Sequence, residues 1–176
     1  EIRSATNANW DTLVSSVQRE AVQSLGRPWT RMAPPIGVFE NTFADKTTDS
    51  RYDGTFTTVY RGNWPKGGVT NPSLFNANSL EVFPGDPILT FLSTEPAPGT
   101  ITYPSGAGRN NIGAGEMPGE SSFVISPRGI SRIVYPGIWK LGTYRTDNGT
   151  GLGQPNAGST RPFNICKFSE LYFVAA

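Results

Sequence analysis

The sequence predicts a loop-rich α+β structure with one or two helices and several short strands. The first reason is its turn formers, because 20 glycines and 15 prolines make up about a fifth of the 176 residues, where a typical globular chain has roughly 12%. The second is its aromatic content of 11%, which is enough large apolar surface for a packed core. Helical and strand periodicities also occur in separate stretches. We therefore expect an ordered chain organised around turns.

Two stretches near the start have helical spacing. Residues 9–26 begin with an asparagine N-cap, carry an apolar stripe with a 3.6-residue period and end with a glycine. Residues 35–46 predict a shorter helix that starts near Pro35 and places Ile36, Phe39 and Phe43 on one side.

Extended structure is predicted in the middle of the chain. Residues 55–64, TFTTVYRGNW, are rich in β-branched and aromatic side chains and predict a strand that ends at the glycine-rich turn after it. Residues 80–93 predict a second extended stretch, interrupted by PGDP, whose prolines favour a sheet edge or an irregular position. Residues 122–144 are extended in short apolar bursts. Residues 95–120 and 145–164 lack a period and predict long loops.

The last twelve residues predict a helix that begins near Ser169 and carries an apolar stripe. No glycine cap, cationic turn or proline follows it, so we expect the chain to be an excerpt truncated at both ends. Cys166 lies within this stripe, and we expect it to be a small buried hydrophobe. The stripe consists of Ile165, Phe168, Leu171, Tyr172, Val174 and Ala175.

The composition argues against several classes of function. A net charge of +1 without runs of like charge lacks the basic surface of a nucleic-acid-binding or anionic-membrane-binding protein. The absence of histidine excludes Ser-His-Asp and Cys-His catalysis and imidazole-ligated zinc, and one cysteine cannot form a thiolate cluster. We assign no catalytic residue, no metal and no cofactor. Asp49 and Asp53 flank Arg51, which predicts a local ion pair and turn.

Carbohydrate recognition is the binding chemistry that the side chains favour, because a sugar stacks its C–H face on an aromatic ring and offers hydroxyls to amides and cations. Asn63 and Trp64 lie where the predicted strand meets a turn, although Trp64 could instead pack under that turn. The long loop adds Tyr103, Arg109 and Asn110. The remaining tryptophans have apolar neighbours and are predicted core residues: Trp10, Trp29 and Trp139.

Three motifs stand in a specific order: EIRSATNANW at the start, DSRYDGTF at residues 49–56 and STRPFNICKFSELYFVAA at the end. This order resembles the SusD/RagB family of bacterial outer-membrane nutrient-binding lipoproteins. In that family a DxR…TF pattern precedes a long variable stretch and an RP…I.RF.E.YL..AEA pattern. The matching positions are Asp49, Arg51, Thr55, Phe56, Arg161, Pro162, Ile165, Phe168, Glu170, Tyr172, Ala175 and Ala176, with Lys167 where an arginine is more usual.

The resemblance implies a mainly α-helical fold of tetratricopeptide type. Residues 1–176 would be a partial, loop-rich domain from its middle-to-C-terminal region. It also implies non-catalytic binding of an oligosaccharide, or else a peptide, at the cell surface, for delivery to a SusC-like TonB-dependent transporter. Attachment to the outer membrane would be through a lipid anchor outside these residues. The family offers no ligand motif that aligns here, so the proposed glycan-binding residues rest on side-chain chemistry alone.

Two alternatives remain open. One is a carboxylate-dependent glycan-degrading enzyme fragment, which would need two carboxylates facing each other at about 5 to 9 Å, and no such pair is evident in the sequence. The other is a purely structural segment that contacts the transporter. The carboxylates available to the first are Asp45, Asp49, Asp53, Glu81, Asp86, Glu95, Glu116 and Glu120.

Overall fold

A computed structural model of the chain describes Val17 and residues 33–75, 80–102, 114–120, 122–130, 134–139 and 165–176. These residues form a small α+β fold with three short helices and several strands, so the expected mainly α-helical, tetratricopeptide-type fold is wrong. The physical reason is local. Proline and glycine interrupt the helical stretches, and the β-branched and aromatic runs between them pair as strands. The helix predicted for 9–26 lies outside the described residues, apart from Val17, which is buried.

The helices are α1 (Ile36–Asn41), α2 (Arg51–Thr55) and α3 (Phe168–Ala175). Helix α1 confirms the helix predicted after Pro35, although it is shorter than predicted, and it buries Phe39. The described residues also include the 3₁₀ turns Trp64–Gly67 and Pro127–Gly129, each of which has a proline at its first or second position.

Eight short strands form three sheets in the described part of the chain. The largest has the order β2-β5-β7-β6, with β5 and β7 parallel and the other neighbours antiparallel. Strands β1 and β8 form a two-stranded sheet, as do β3 and β4. The strands are β1 (Phe56–Thr57), β2 (Val59–Arg61), β3 (Leu74–Phe75), β4 (Glu81–Val82), β5 (Pro87–Phe91), β6 (Ala114–Gly115), β7 (Phe123–Ile125) and β8 (Gly137–Ile138).

Of the edge and the irregular position predicted for residues 80–93, the structure shows the second, because strand β5 sits between β2 and β7 and its proline lies at an irregularity. Its proline is tolerated there because Pro87 is the first residue of the strand and lies opposite a register irregularity between Tyr60 and Arg61. The backbone N–H of Gly62 donates to the Asp86 carbonyl at 2.9 Å beside this irregularity. Pro87 has no backbone N–H, but at this irregular position its absence removes no hydrogen bond from the regular part of the β2–β5 ladder.

An aromatic cluster joins α1, α2 and β1. Its four rings belong to Phe39, Phe43, Tyr52 and Phe56, each less than a tenth exposed, with neighbouring centroids 5.2 to 6.2 Å apart. All five ring pairs are tilted or edge-on, and such contacts add roughly 0.5–1.5 kcal/mol each beyond the burial of apolar area. The cluster fixes the start of β1 against both helices.

The local ion pair predicted around Arg51 is confirmed. The Arg51 guanidinium donates from Nε to Asp49 Oδ1 at 2.8 Å and from Nη2 to Asp49 Oδ2 at 2.6 Å. These hydrogen bonds hold the pKa of Asp49 below its usual value. Arg51 is exposed and Asp49 is half-buried, so we assign the pair the role of orienting the turn before α2 rather than a large share of the stability.

The C-terminal helix has the predicted type but an exposed surface. Helix α3 begins at Phe168 after Lys167 as N-cap, so Ser169 lies inside it. Its stripe is open to solvent, with Ile165 94% and Val174 85% exposed. The prediction that Cys166 is buried is therefore wrong, because the surrounding stripe packs against none of the core residues that the structure describes. None of the helices in the described residues is both long enough and apolar enough to cross a bilayer.

Tyr52 generates a prediction on pH dependence. Its hydroxyl is buried and has no hydrogen-bond partner among the described residues, and burial, with a contribution from the charge of Asp53, raises its pKa to about 12. The folded state keeps this proton longer than the unfolded state. The contribution of the protonated Tyr52 hydroxyl to the free energy of unfolding is therefore complete below about pH 10, the ordinary tyrosine pKa. It is lost as the pH rises towards 12.

Unfolding in denaturant at pH 9 and pH 11 should show a smaller loss of stability for Tyr52→Phe than for the unsubstituted protein. Tyr172→Phe, which removes a hydroxyl from the exposed helix α3, is the matched control and should follow the unsubstituted protein. Equal pH dependence in all three proteins would contradict the buried neutral hydroxyl.

Candidate functional site

A cleft of about 710 Å³ runs beside strands β1 and β2. Its lining is mainly apolar, and its volume lies in the range of roughly 300–1,000 Å³ that is typical of small-ligand sites. Residues 56–63 contribute one wall without a gap. The rim adds residues from four other places in the chain: Val17, Asp53, Pro84 and Trp139, with Pro65 and Lys66 from the 3₁₀ turn.

The unbroken wall shows that the cleft follows the edge of a strand. Side chains alternate between the two faces of a strand, so a cavity on one face would be lined by every second residue. Eight consecutive residues, 56–63, line this one. The cleft therefore has access to backbone groups of the strand as well as to its side chains.

The hydrogen-bond register identifies those backbone groups. The Thr58 carbonyl accepts from the Phe91 N–H at 2.7 Å, and the Gly62 N–H donates to Asp86, so the even-numbered residues face β5. The N–H and C=O groups of Val59 and Arg61 consequently point away from β5. Strand β2 is the last strand of its sheet in the described part of the chain. These outward groups supply donors and acceptors along the cleft.

Trp139 is the aromatic side chain that the cleft exposes. It follows β8 directly, and β8 is brought to the cleft because Gly137 pairs with Thr57 and Ile138 with Phe56. The ring lines the cleft and remains 36% exposed. The sequence-based assignment of Trp139 to the core is therefore wrong. Its apolar neighbour Ile138 belongs to strand β8, and Trp139 lies just beyond the end of that strand, where it lines the cleft.

Trp64, in contrast to Trp139, is a buried side chain. Its ring is completely buried, and its Nε1 donates to the Asn71 carbonyl at 2.8 Å. It packs under its own turn, which is the alternative that the sequence left open, and it has no exposed face on which a sugar could stack. The assignment of Trp64 as a glycan contact is corrected on this ground. Its neighbour Asn63 is half-buried and does line the cleft.

The other predicted contacts, Tyr103, Arg109 and Asn110, lie outside the described residues. In their place the structure brings Thr57, Thr58 and Arg61 to the cleft, beside the residues already named. The one sequence signal for this group was the predicted strand itself. The pairing of β1 with β8, which delivers Trp139 from about 80 residues away, has no local signal.

The charges on the cleft are few. Arg61 and Lys66 are cationic, and Asp53 is the one carboxylate among the described lining residues. Arg61 is held in place because its Nη1 donates to the Gly85 carbonyl at 3.0 Å. The described residues contain no cluster of three or more groups that could ligate a metal ion.

Comparison with protein-family models gives no match for this chain, and comparison with curated proteins gives none either.

Gly62 couples the cleft wall to the packing of Trp64. A Cβ at position 62 would overlap the Cζ3 and Cε3 atoms of the Trp64 ring and would lie 3.3 Å from the Phe83 carbonyl oxygen. We expect Gly62→Ala to destabilise the protein by roughly 1–3 kcal/mol, because an overpacked core must move its ring or its backbone. Chemical denaturation provides the measurement.

Gly54→Ala is the matched control, because Gly54 lies in α2 and a Cβ there meets no atom within 4 Å. It should be neutral or stabilising by roughly 0.5–1 kcal/mol, as expected for alanine in a helix. Equal stabilities of the two variants would rule out the described packing of Trp64 against Gly62.

Proposed function

We propose that this protein binds an oligosaccharide in the cleft beside β2, without catalysis, and passes it to a SusC-like TonB-dependent transporter. The observation that carries the binding step is a mainly apolar cleft of about 710 Å³ that places an exposed indole, Trp139, with an amide, Asn63. An indole stacks on the C–H face of a sugar ring, and an amide both donates to and accepts from its hydroxyls.

Further polar groups support a sugar ligand. Thr57 and Thr58, which carry hydroxyls, and the outward backbone groups of Val59 and Arg61 belong to the same stretch of lining residues. A sugar presents several hydroxyls, each of which acts as both donor and acceptor. An apolar cleft with a limited number of polar groups at fixed positions is the usual design of a selective small-ligand site.

Binding without turnover is favoured by the distribution of carboxylates. Hydrolysis of a glycosidic bond needs two carboxylates on opposite sides of the bond. The described lining offers Asp53 alone. The transporter as partner, the lipid anchor and the location at the outer membrane rest on the order of motifs shared with the SusD/RagB family.

An extended peptide is the second candidate ligand, and a separate observation favours it. The outward N–H and C=O groups of Val59 and Arg61 could pair with a peptide added as a new strand beside β2. The exposed indole of Trp139 favours the sugar, and for this reason the oligosaccharide comes first.

Isothermal titration of the full-length protein against a panel of oligosaccharides and extended peptides tests the proposal. For the best oligosaccharide, Trp139→Ala should weaken binding roughly fivefold to tenfold, which corresponds to about 1–1.4 kcal/mol for the lost stacking. Asn63→Ala should also weaken it.

Phe75→Ala is the matched control, because it removes an aromatic ring that is 74% exposed and does not line the cleft. It should leave affinity unchanged. Binding of peptides alone would replace the sugar with the second candidate. Binding that ignores both Trp139 and Asn63 would remove the cleft from the proposal, and release of a shortened sugar would favour an enzyme.

A further inference from the structure

We infer that the cleft selects an anionic ligand, and that Arg61 binds the negatively charged group, which we assign to the carboxylate of an acidic sugar. This inference rests on the proposed function, because it names the class of oligosaccharide that the same site takes. It comes from the way in which Arg61 is held and from the charges around it.

The Arg61 guanidinium is fixed before any ligand arrives. Its Nη1 donates to the Gly85 carbonyl at 3.0 Å. Gly85 lies in a tight turn, with a φ of 96° that suits glycine, and its N–H donates to the Gly62 carbonyl at 2.8 Å. The same turn is closed by the Asp86 carboxylate, which accepts from the Phe83 N–H at 2.8 Å. The acceptor that holds Arg61 is therefore itself held by the backbone.

The anchoring uses only one of the guanidinium's N–H groups. The ion pairs found among the described residues join Arg51 to Asp49 and Arg128 to Glu40, and neither involves Arg61. The Nε and Nη2 donors of Arg61 have no partner in the described part of the chain. A guanidinium matches a carboxylate with two parallel hydrogen bonds, and each bond to a charged group is stronger than one between neutral groups.

The charged residues of the described cleft lining sum to one positive charge, which is the sign that an anion requires. Lys66 lies in the 3₁₀ turn on the same cleft and adds a second positive charge, and Asp53 is the one opposing charge among the described lining residues. The lining is mainly apolar, which weakens the screening of charges inside the cleft. A ligand that brings a negative charge therefore compensates Arg61, and a neutral ligand does not.

A carboxylate could reach Arg61 on an acidic sugar or on an acidic side chain of a peptide. The sugar is the assignment made here because Trp139 offers its ring on the same cleft. The experiment separates the two sources by using three probes: an oligogalacturonate, the same oligomer with its carboxylates methyl-esterified, and an extended oligoglutamate peptide.

Titration of the full-length protein should give about tenfold tighter binding of the oligogalacturonate than of its methyl ester, a ratio that corresponds to about 1.4 kcal/mol. Arg61→Gln should abolish this ratio, so that the affinities for the two oligomers lie within about twofold of each other. Arg61→Lys should retain part of the ratio, because it keeps the charge and loses the planar pair of donors. Raising the salt to about 1 M, where charges are screened beyond about 3 Å, should reduce the ratio in the unsubstituted protein.

Arg128→Gln is the matched control, because it removes one positive charge at an exposed site that does not line the cleft, and it should leave the ratio unchanged. Equal binding of the acidic and esterified oligomers would overturn the inference and leave the proposed function standing. Preference for the oligoglutamate would overturn the assignment to a sugar. A panel in which no oligosaccharide binds at all would overturn the proposed function.

Discussion

The segment from Phe56 to Gly62 exchanges one strand partner for another, and the rest of the described fold is arranged around this exchange. Its first two residues pair with β8 on one side, and from Thr58 onward its backbone bonds to β5 on the other side. An extended chain has two edges, and each part of this segment uses one of them. The aromatic cluster fixes its beginning, and Trp64 fixes its end.

This exchange also explains why a cleft forms there. Where β8 ends, the outer edge of β2 is left without a described partner strand, and the chain that leaves β8 places Trp139 beside it. The turn at residues 83–86 closes the other end and anchors Arg61. The cleft therefore forms where the pairing with β8 ends. Side chains from three separate elements surround it. Groups carried by strands and fixed turns keep their positions better than groups on long loops.

Two tryptophans illustrate how burial depends on contacts distant in the sequence. Trp64 sits at a predicted turn, and the sequence left open whether its ring is accessible or packs under that turn. Gly62 has no side chain, and the Trp64 ring fills the space beside it. Trp139 has apolar neighbours and looked buried, yet it emerges at the end of a strand pair. At Trp64 the neighbouring residues in the sequence predicted the turn correctly. Solvent exposure was decided by which distant segment packs against the ring.

The sequence by itself determined the features that depend on the preferences of adjacent residues. These are the short helix after Pro35, the strand around residues 56–61, the turns at its end and at PGDP, the Asp49–Arg51 pair and the C-terminal helix. Only the tertiary structure decided that Pro87 begins an interior strand, that Cys166 is exposed and that Arg61, Asn63 and Trp139 share one cleft. Those outcomes depend on pairing between segments tens of residues apart. The free energy of such pairing is set by packing across the whole fold, and it produces no periodic pattern in the sequence.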